Sequence, residues 1–120
     1  MISPTGLGIR VDSEGDGHLG ASRGSRRHRG TDYLCVKNQD IVAPFDFRIV
    51  RVAYPKVDLI MKGIMWEFGK SSGRMYYFIP HKDLIGKSVK EGQIIGTAQS
   101  VSEYYKLPDM KDHIHFQVNY

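Results

Sequence analysis

Residues able to do chemistry concentrate at two places in the chain. The last segment, "KDHIHFQVNY", sets His113 and His115 on either side of a single Ile. Apolar and polar residues then alternate to the end, which is the period of a strand. The two imidazoles therefore project from one face, with Ile114 and Phe116 on the other. Far upstream, "HRGTD" places His28 four residues before Asp32. That spacing gives a shared face in a helix and in an extended chain. Gly30 between them, and the apolar Tyr33, Leu34, Cys35 and Val36 after them, favour an extended segment entering a strand.

Imidazole nitrogen and carboxylate oxygen together form a donor set for zinc. A catalytic zinc keeps three protein ligands and one open position, and it lowers the pKa of a bound water to about 7. His28, Asp32 and one of His113 and His115 would make such a set. The remaining histidine would stand beside the water, placed to act as a base or to steady an oxyanion. Neither pair is specific by itself. His-x-x-x-Asp arises often by chance, and His-x-His also occurs in structural metal sites. His18, in a Gly-rich loop, reads as structural or solvated. Cys35 is an odd offset from Asp32, so on a strand it turns away from the site and reads as a small core residue.

The elements that must position these groups are mainly β. At 120 residues the chain fits one domain with a real core, and its 41% hydrophobic and 25% charged content is that of an ordinary globular protein. No apolar run approaches the roughly 18 residues of a membrane span. One cysteine excludes an internal disulfide. The excess of 17 basic over 13 acidic residues, net +4, favours anionic partners. The basic run "RGSRRHRG" lacks interleaved aromatics, so it reads as a solvated loop and nucleic acid is not an expected partner. "IVAPFDFRIVRVAY" reads as strand interrupted at Pro44, and "VDLIMKGIMWEF" and "GRMYYFIP" as two strands joined by "GKSSG". "KSVKEGQIIGTAQ" turns at Glu91-Gly92, and "VSEYYKL" is a short helix near 101–107 ended by Pro108. "HIHFQV" is the last strand. Residues 1–27 read as a Gly/Arg-rich segment packed on the domain, and 28–120 as the β domain itself.

With these residues placed, the chain resembles the lysostaphin-type zinc endopeptidases, which cleave peptide bonds in bacterial peptidoglycan. The similarity rests on "HRGTD" (28–32), "VAPF" (42–45), "VKEGQIIG" (89–96) and "HIHF" (113–116), in that order. The resemblance implies small antiparallel sheets in a barrel-sandwich hybrid, with one zinc ion in a groove across one sheet. It implies His28, Asp32 and His115 as ligands and His113 as a catalytic histidine. The family's second catalytic histidine corresponds to Ile79 here, and His81 follows two residues later, beyond Pro80. An offset of two keeps the same strand face, which makes His81 a second catalytic candidate. In local texture, "HRGTDYLC", "VAPF" and "YYFIP" are similar to the branch that includes leukocyte cell-derived chemotaxins, which keep the zinc ligands without the catalytic histidines.

The expected function is zinc-dependent hydrolysis of peptidoglycan peptide cross-links. Arg26, Arg27 and Arg29 would rim the groove to meet wall carboxylates, and Tyr77 would contact substrate. The alternative is a non-catalytic zinc-binding recognition module of the same fold. A lipoyl- or biotin-carrier domain, suggested by the turn "SVKEGQIIG" and by Lys62 beside Met61, has no use for the histidines. Met1 to Gly20 lacks the basic start and apolar centre of a signal peptide. A wall substrate then suggests a virion- or phage tail-associated protein with other tail proteins as partners, or release to the wall or periplasm.

Overall fold

The computed structural model describes residues 1–12, 15–16, 22–23, 26–27 and 30–119, with backbone alone for those between 11 and 27. Four two-residue strands come first: Val11–Asp12 (β1), Gly15–Asp16 (β2), Ser22–Arg23 (β3) and Arg26–Arg27 (β4). They pair as two small hairpins, β1 with β2 and β3 with β4. The main strands follow as Thr31–Leu34 (β5), Asp40–Val42 (β6), Phe47–Ala53 (β7), Gly63–Phe68 (β8) and Ser71–Tyr76 (β9). Phe78–Pro80 (β10), Ser88–Val89 (β11), Ile94–Ala98 (β12) and His113–Asn119 (β13) complete them. All pairings are antiparallel. One sheet has the order β10-β12-β6 and the other β11-β7-β8-β9-β13-β5, and neither closes into a barrel.

The expected mainly β, antiparallel fold with one short helix is what forms. The helix is Val101–Tyr105 (α1), inside the expected span. Ser100 caps it by accepting the Glu103 N–H at 3.3 Å. Lys106 adopts a left-handed φ of 57° and stops the helix two residues before Pro108. Pro44 falls in the break between β6 and β7, because proline cannot donate to a ladder. "GRMYYFIP" departs from the single strand expected. It splits into β9 and β10 at Tyr77, whose φ is 83°. At that reversal the chain leaves the six-stranded sheet and enters the three-stranded one. "VDLI" is likewise not strand: residues 54–60 form an exposed loop between β7 and β8.

The two sheets face one another across a single core. Ile41, Phe78, Ile95 and Ala98 come from the smaller sheet, and Ile49, Ile64, Trp66, Met75, Ile114 and Phe116 from the larger. Trp66 is stacked between Phe47 and Phe116, at 5.9 and 5.4 Å between ring centres, and Phe45 meets it edge-on. This ring stack lies on β7, β8 and β13, so it holds the inner side of the strand whose outer side carries His113 and His115. Trp66→Ala should lower stability by about 3–5 kcal/mol. Val57→Ala, at a fully exposed loop position, should change it by less than ~0.5 kcal/mol. Urea denaturation measures both, and equal effects would contradict this placement of the core.

Candidate functional site

Antiparallel register assembles the site. In β5 and β13, Asp32 lies directly opposite His115, and His113 opposite Leu34. On the other side of β13, His115 lies opposite Tyr76 of β9. Residues opposite one another share a face, so Asp32, His115 and Tyr76 form one row across three strands. His113 stands on the same face two residues before His115. Gly30 lets β5 begin this close to β13. A Cβ there would lie 2.2 Å from the Phe116 carbonyl oxygen and 2.9 Å from His115 Cε1.

Asp32 is buried, and the group is built around its carboxylate. Oδ1 lies 2.8 Å from His115 Nδ1. Oδ2 accepts from Arg10 Nη1 at 3.1 Å and lies 3.6 Å from His113 Nε2. Arg10 is itself 3% exposed, and its backbone N–H donates to the Asp32 carbonyl at 2.8 Å. The segment before the hairpins is thereby tied to β5, where the Leu34 N–H also donates to the Gly8 carbonyl. A buried carboxylate costs several kcal/mol unless it is paired and hydrogen-bonded, and the guanidinium supplies both.

The two histidines have different surroundings. His113 Nδ1 lies 2.8 Å from the Lys111 carbonyl, which can only accept, so the proton sits on Nδ1. Nε2 then carries the lone pair and faces Arg10 Nη1 at 3.5 Å. Burial pushes the His113 pKa down; Asp32 and the Lys111 carbonyl oppose this, and Arg10 and His115 add to it. His115 Nε2 lies 2.9 Å from Gln117 Oε1, and the ring stacks on Tyr76. Asp32 Oδ1 and Gln117 Oε1 thus hold the His115 ring in place from its two nitrogens.

The group forms the floor of a cavity of about 440 Å³, walled by Tyr76 and Tyr77 and by Tyr54, Lys56 and Tyr105. The reversal at Tyr77 turns its ring edge onto His113, with ring centres 5.4 Å apart. Burial, followed by its hydrogen bond and proximity to Tyr105, pushes the Tyr77 hydroxyl far up, so it stays protonated. The wall formed by loop 54–60 is tied to α1: the Tyr104 hydroxyl donates to the Asp58 carboxylate, and Lys56 Nζ lies 5.3 Å above the Tyr105 ring.

Of the residues singled out from sequence, Asp32, His113, His115 and Tyr77 come together here. His81 stands apart and is a correction to the second catalytic candidate. After the reversal at Tyr77, β10 runs into the other sheet, and His81 lies exposed beyond it with its N–H on the Ile95 carbonyl. His28 and Arg29 lie outside the described residues, and of Arg26 and Arg27 only the backbone in β4 is described. Among the described residues no group of three or more His, Cys, Asp or Glu forms a ready metal cage. The donor types and the facing of His115 Nδ1 and Asp32 Oδ1 fit zinc, with His28 as the remaining expected ligand. Sequence reading missed Arg10, whose contacts span 22 and 103 residues and leave no local signal. It also passed over Gln117, which the strand period puts on the His115 face. Cys35 is buried just past β5, where burial and Asp112 raise its pKa to about 12.

No protein-family model and no curated protein matches the chain.

Metal-free protein should show the His113 environment as a pH effect. With a folded pKa below the unfolded value of about 6.5, the unfolded state takes up the proton first as pH falls. Stability is therefore full above about pH 6.5 and declines below it. His113→Asn should flatten that decline in thermal melts between about pH 7 and 5. An unchanged slope would contradict the buried neutral imidazole.

Proposed function

We propose that the chain is a zinc-dependent endopeptidase that hydrolyses peptide cross-links of bacterial peptidoglycan. The observation that carries this reading is the convergence of Asp32 and His115 beside a neutral, buried His113 on the floor of one cavity. The ordered motifs that resemble lysostaphin-type peptidases support it. His28, Asp32 and His115 would hold the ion, which when bound polarises a carbonyl and makes water more acidic. The chain's own residues then divide the work. His113 Nε2 takes a proton from the attacking water as its oxygen bonds the scissile carbon. The same proton passes to the amine as the C–N bond breaks. Arg10 keeps the Asp32 carboxylate in place, Gln117 keeps the His115 ring oriented, and the tyrosine walls exclude water from around the peptide.

The separation of His81 from this group favours one second reading, a zinc-holding recognition module without turnover. Among the described residues lining the cavity, His113 and His115 are the imidazoles present. Purified peptidoglycan incubated with the protein separates the two readings. The peptidase reading expects soluble peptide with new amino termini, abolished by chelator and restored by zinc. It also expects at least a hundredfold loss in His113→Ala with zinc content unchanged. Stoichiometric zinc with no chelator-sensitive cleavage on several wall chemistries would leave the recognition module. No helix among the described residues is long and apolar enough to cross a membrane.

A further inference from the structure

The outer face of the six-stranded sheet is organised in cross-strand rows. The row that holds Asp32, His115 and Tyr76 has a neighbour made of Gln117, Arg74, Met65 and Arg51 on β13, β9, β8 and β7. A bulge between Ile49 and Arg51 brings Arg51 into that register and turns it outward. The row carries two guanidiniums and no carboxylate. In the next row Arg48 is already paired with Glu67 at 2.7 Å.

Arg74 differs from the other cations of this face. Its Nη1 is buried and has no hydrogen-bond partner among the described residues. Arg51 uses Nη1 on the Val52 carbonyl at 3.1 Å, which fixes its head at the sheet surface. Tyr76 joins the two rows. It lines the cavity and stacks on His115. Burial raises its hydroxyl pKa, while the nearby charges of Arg74 and Arg51 oppose the rise. A buried guanidinium nitrogen without a partner is costly, and a planar, multi-donor group of this kind matches a carboxylate.

We infer that Arg74 and Arg51, with the Tyr76 hydroxyl, form a carboxylate subsite that selects acidic peptides for the cavity next to it. The inference deepens the peptidase reading and rests on it only in that this face receives a peptide. Adjacent rows are two residues apart along the strands, roughly 6.6–6.8 Å. An extended peptide lying along β9 and β13 repeats with the same step. A residue over His115 and Tyr76 therefore places the residue two positions away over Gln117 and Arg74, on the row that continues across Met65 to Arg51. The substrate class is a peptide with a free carboxylate, on a side chain or at its terminus, two residues from the bond over the histidines. Stem peptides of peptidoglycan carry carboxyls of both kinds.

The test measures binding rather than turnover. Fluorescent alanyl-γ-glutamyl-lysyl-alanine is titrated into zinc-loaded protein as the free acid, with the glutamyl carboxyl amidated, and with the terminal carboxyl amidated. At least one amidation should weaken binding to the wild type about tenfold, and which one does so identifies the carboxyl used. Arg74→Met should reduce the acid-to-amide ratio to below about twofold. Arg51→Met should do so in part, and it serves as the second variant where Arg74→Met does not fold. Arg48→Met, which removes the same charge from the next row, should keep the ratio. Equal binding of all three peptides, a ratio untouched by Arg74→Met and Arg51→Met, or an equal drop in Arg48→Met would overturn the subsite. Absent cleavage with the preference retained contradicts the hydrolase alone, and cleavage without preference contradicts the subsite alone.

Discussion

The buried carboxylate of Asp32 is the constraint on which the rest of the site depends. A carboxylate at 2% exposure is tolerated only with compensating charge and donors. Arg10 supplies charge from a segment 22 residues upstream, and His115 meets the other oxygen from a strand 83 residues downstream. Three distant pieces of chain must therefore be in register before the carboxylate is satisfied. The ring stack around Trp66 stabilises the inner face of the same sheet and keeps that register.

The second constraint is the reversal at Tyr77. A non-glycine residue at φ 83° costs about 1–3 kcal/mol, and such strain persists only where surrounding structure enforces it. Here the Tyr77 N–H donates to the Lys62 carbonyl and the Gln99 N–H to the Tyr77 carbonyl, holding both sides of the reversal. Its consequences are two. It sends the Tyr77 ring against His113 and builds the cavity wall, and it diverts β10, with His81, into the other sheet. Tyr77 takes a cavity position at the point where the chain leaves the histidines.

Much of this was legible in the sequence where physics is local. The period of two put His113 and His115 on one face, and the same period carries on to Gln117. Pro44 marked the break between β6 and β7, and Gly92, at φ 85°, the turn before β12. Pro108 marked the end of the helix. What was not legible depends on distant contacts. Tyr is a good strand former, so nothing in "GRMYYFIP" announces a left-handed residue in its middle. Arg10 sits in a Gly-rich stretch with no pattern of its own, and its role appears only once Asp32 is buried beside it. The displacement of His81 follows from Tyr77 and inherits the same opacity.

Zinc held on this face through imidazole and carboxylate is the proposal on which the peptidase reading stands. X-ray absorption at the zinc edge, on protein loaded with one equivalent, tests it most directly. The proposed site should give a first shell of nitrogen and oxygen at about 2.0–2.1 Å, the multiple scattering of two imidazoles, and no sulfur at about 2.3 Å. His115→Ala should remove one imidazole from that shell. A sulfur shell from Cys35, a shell of oxygens without imidazole, or an unchanged spectrum in His115→Ala would contradict it.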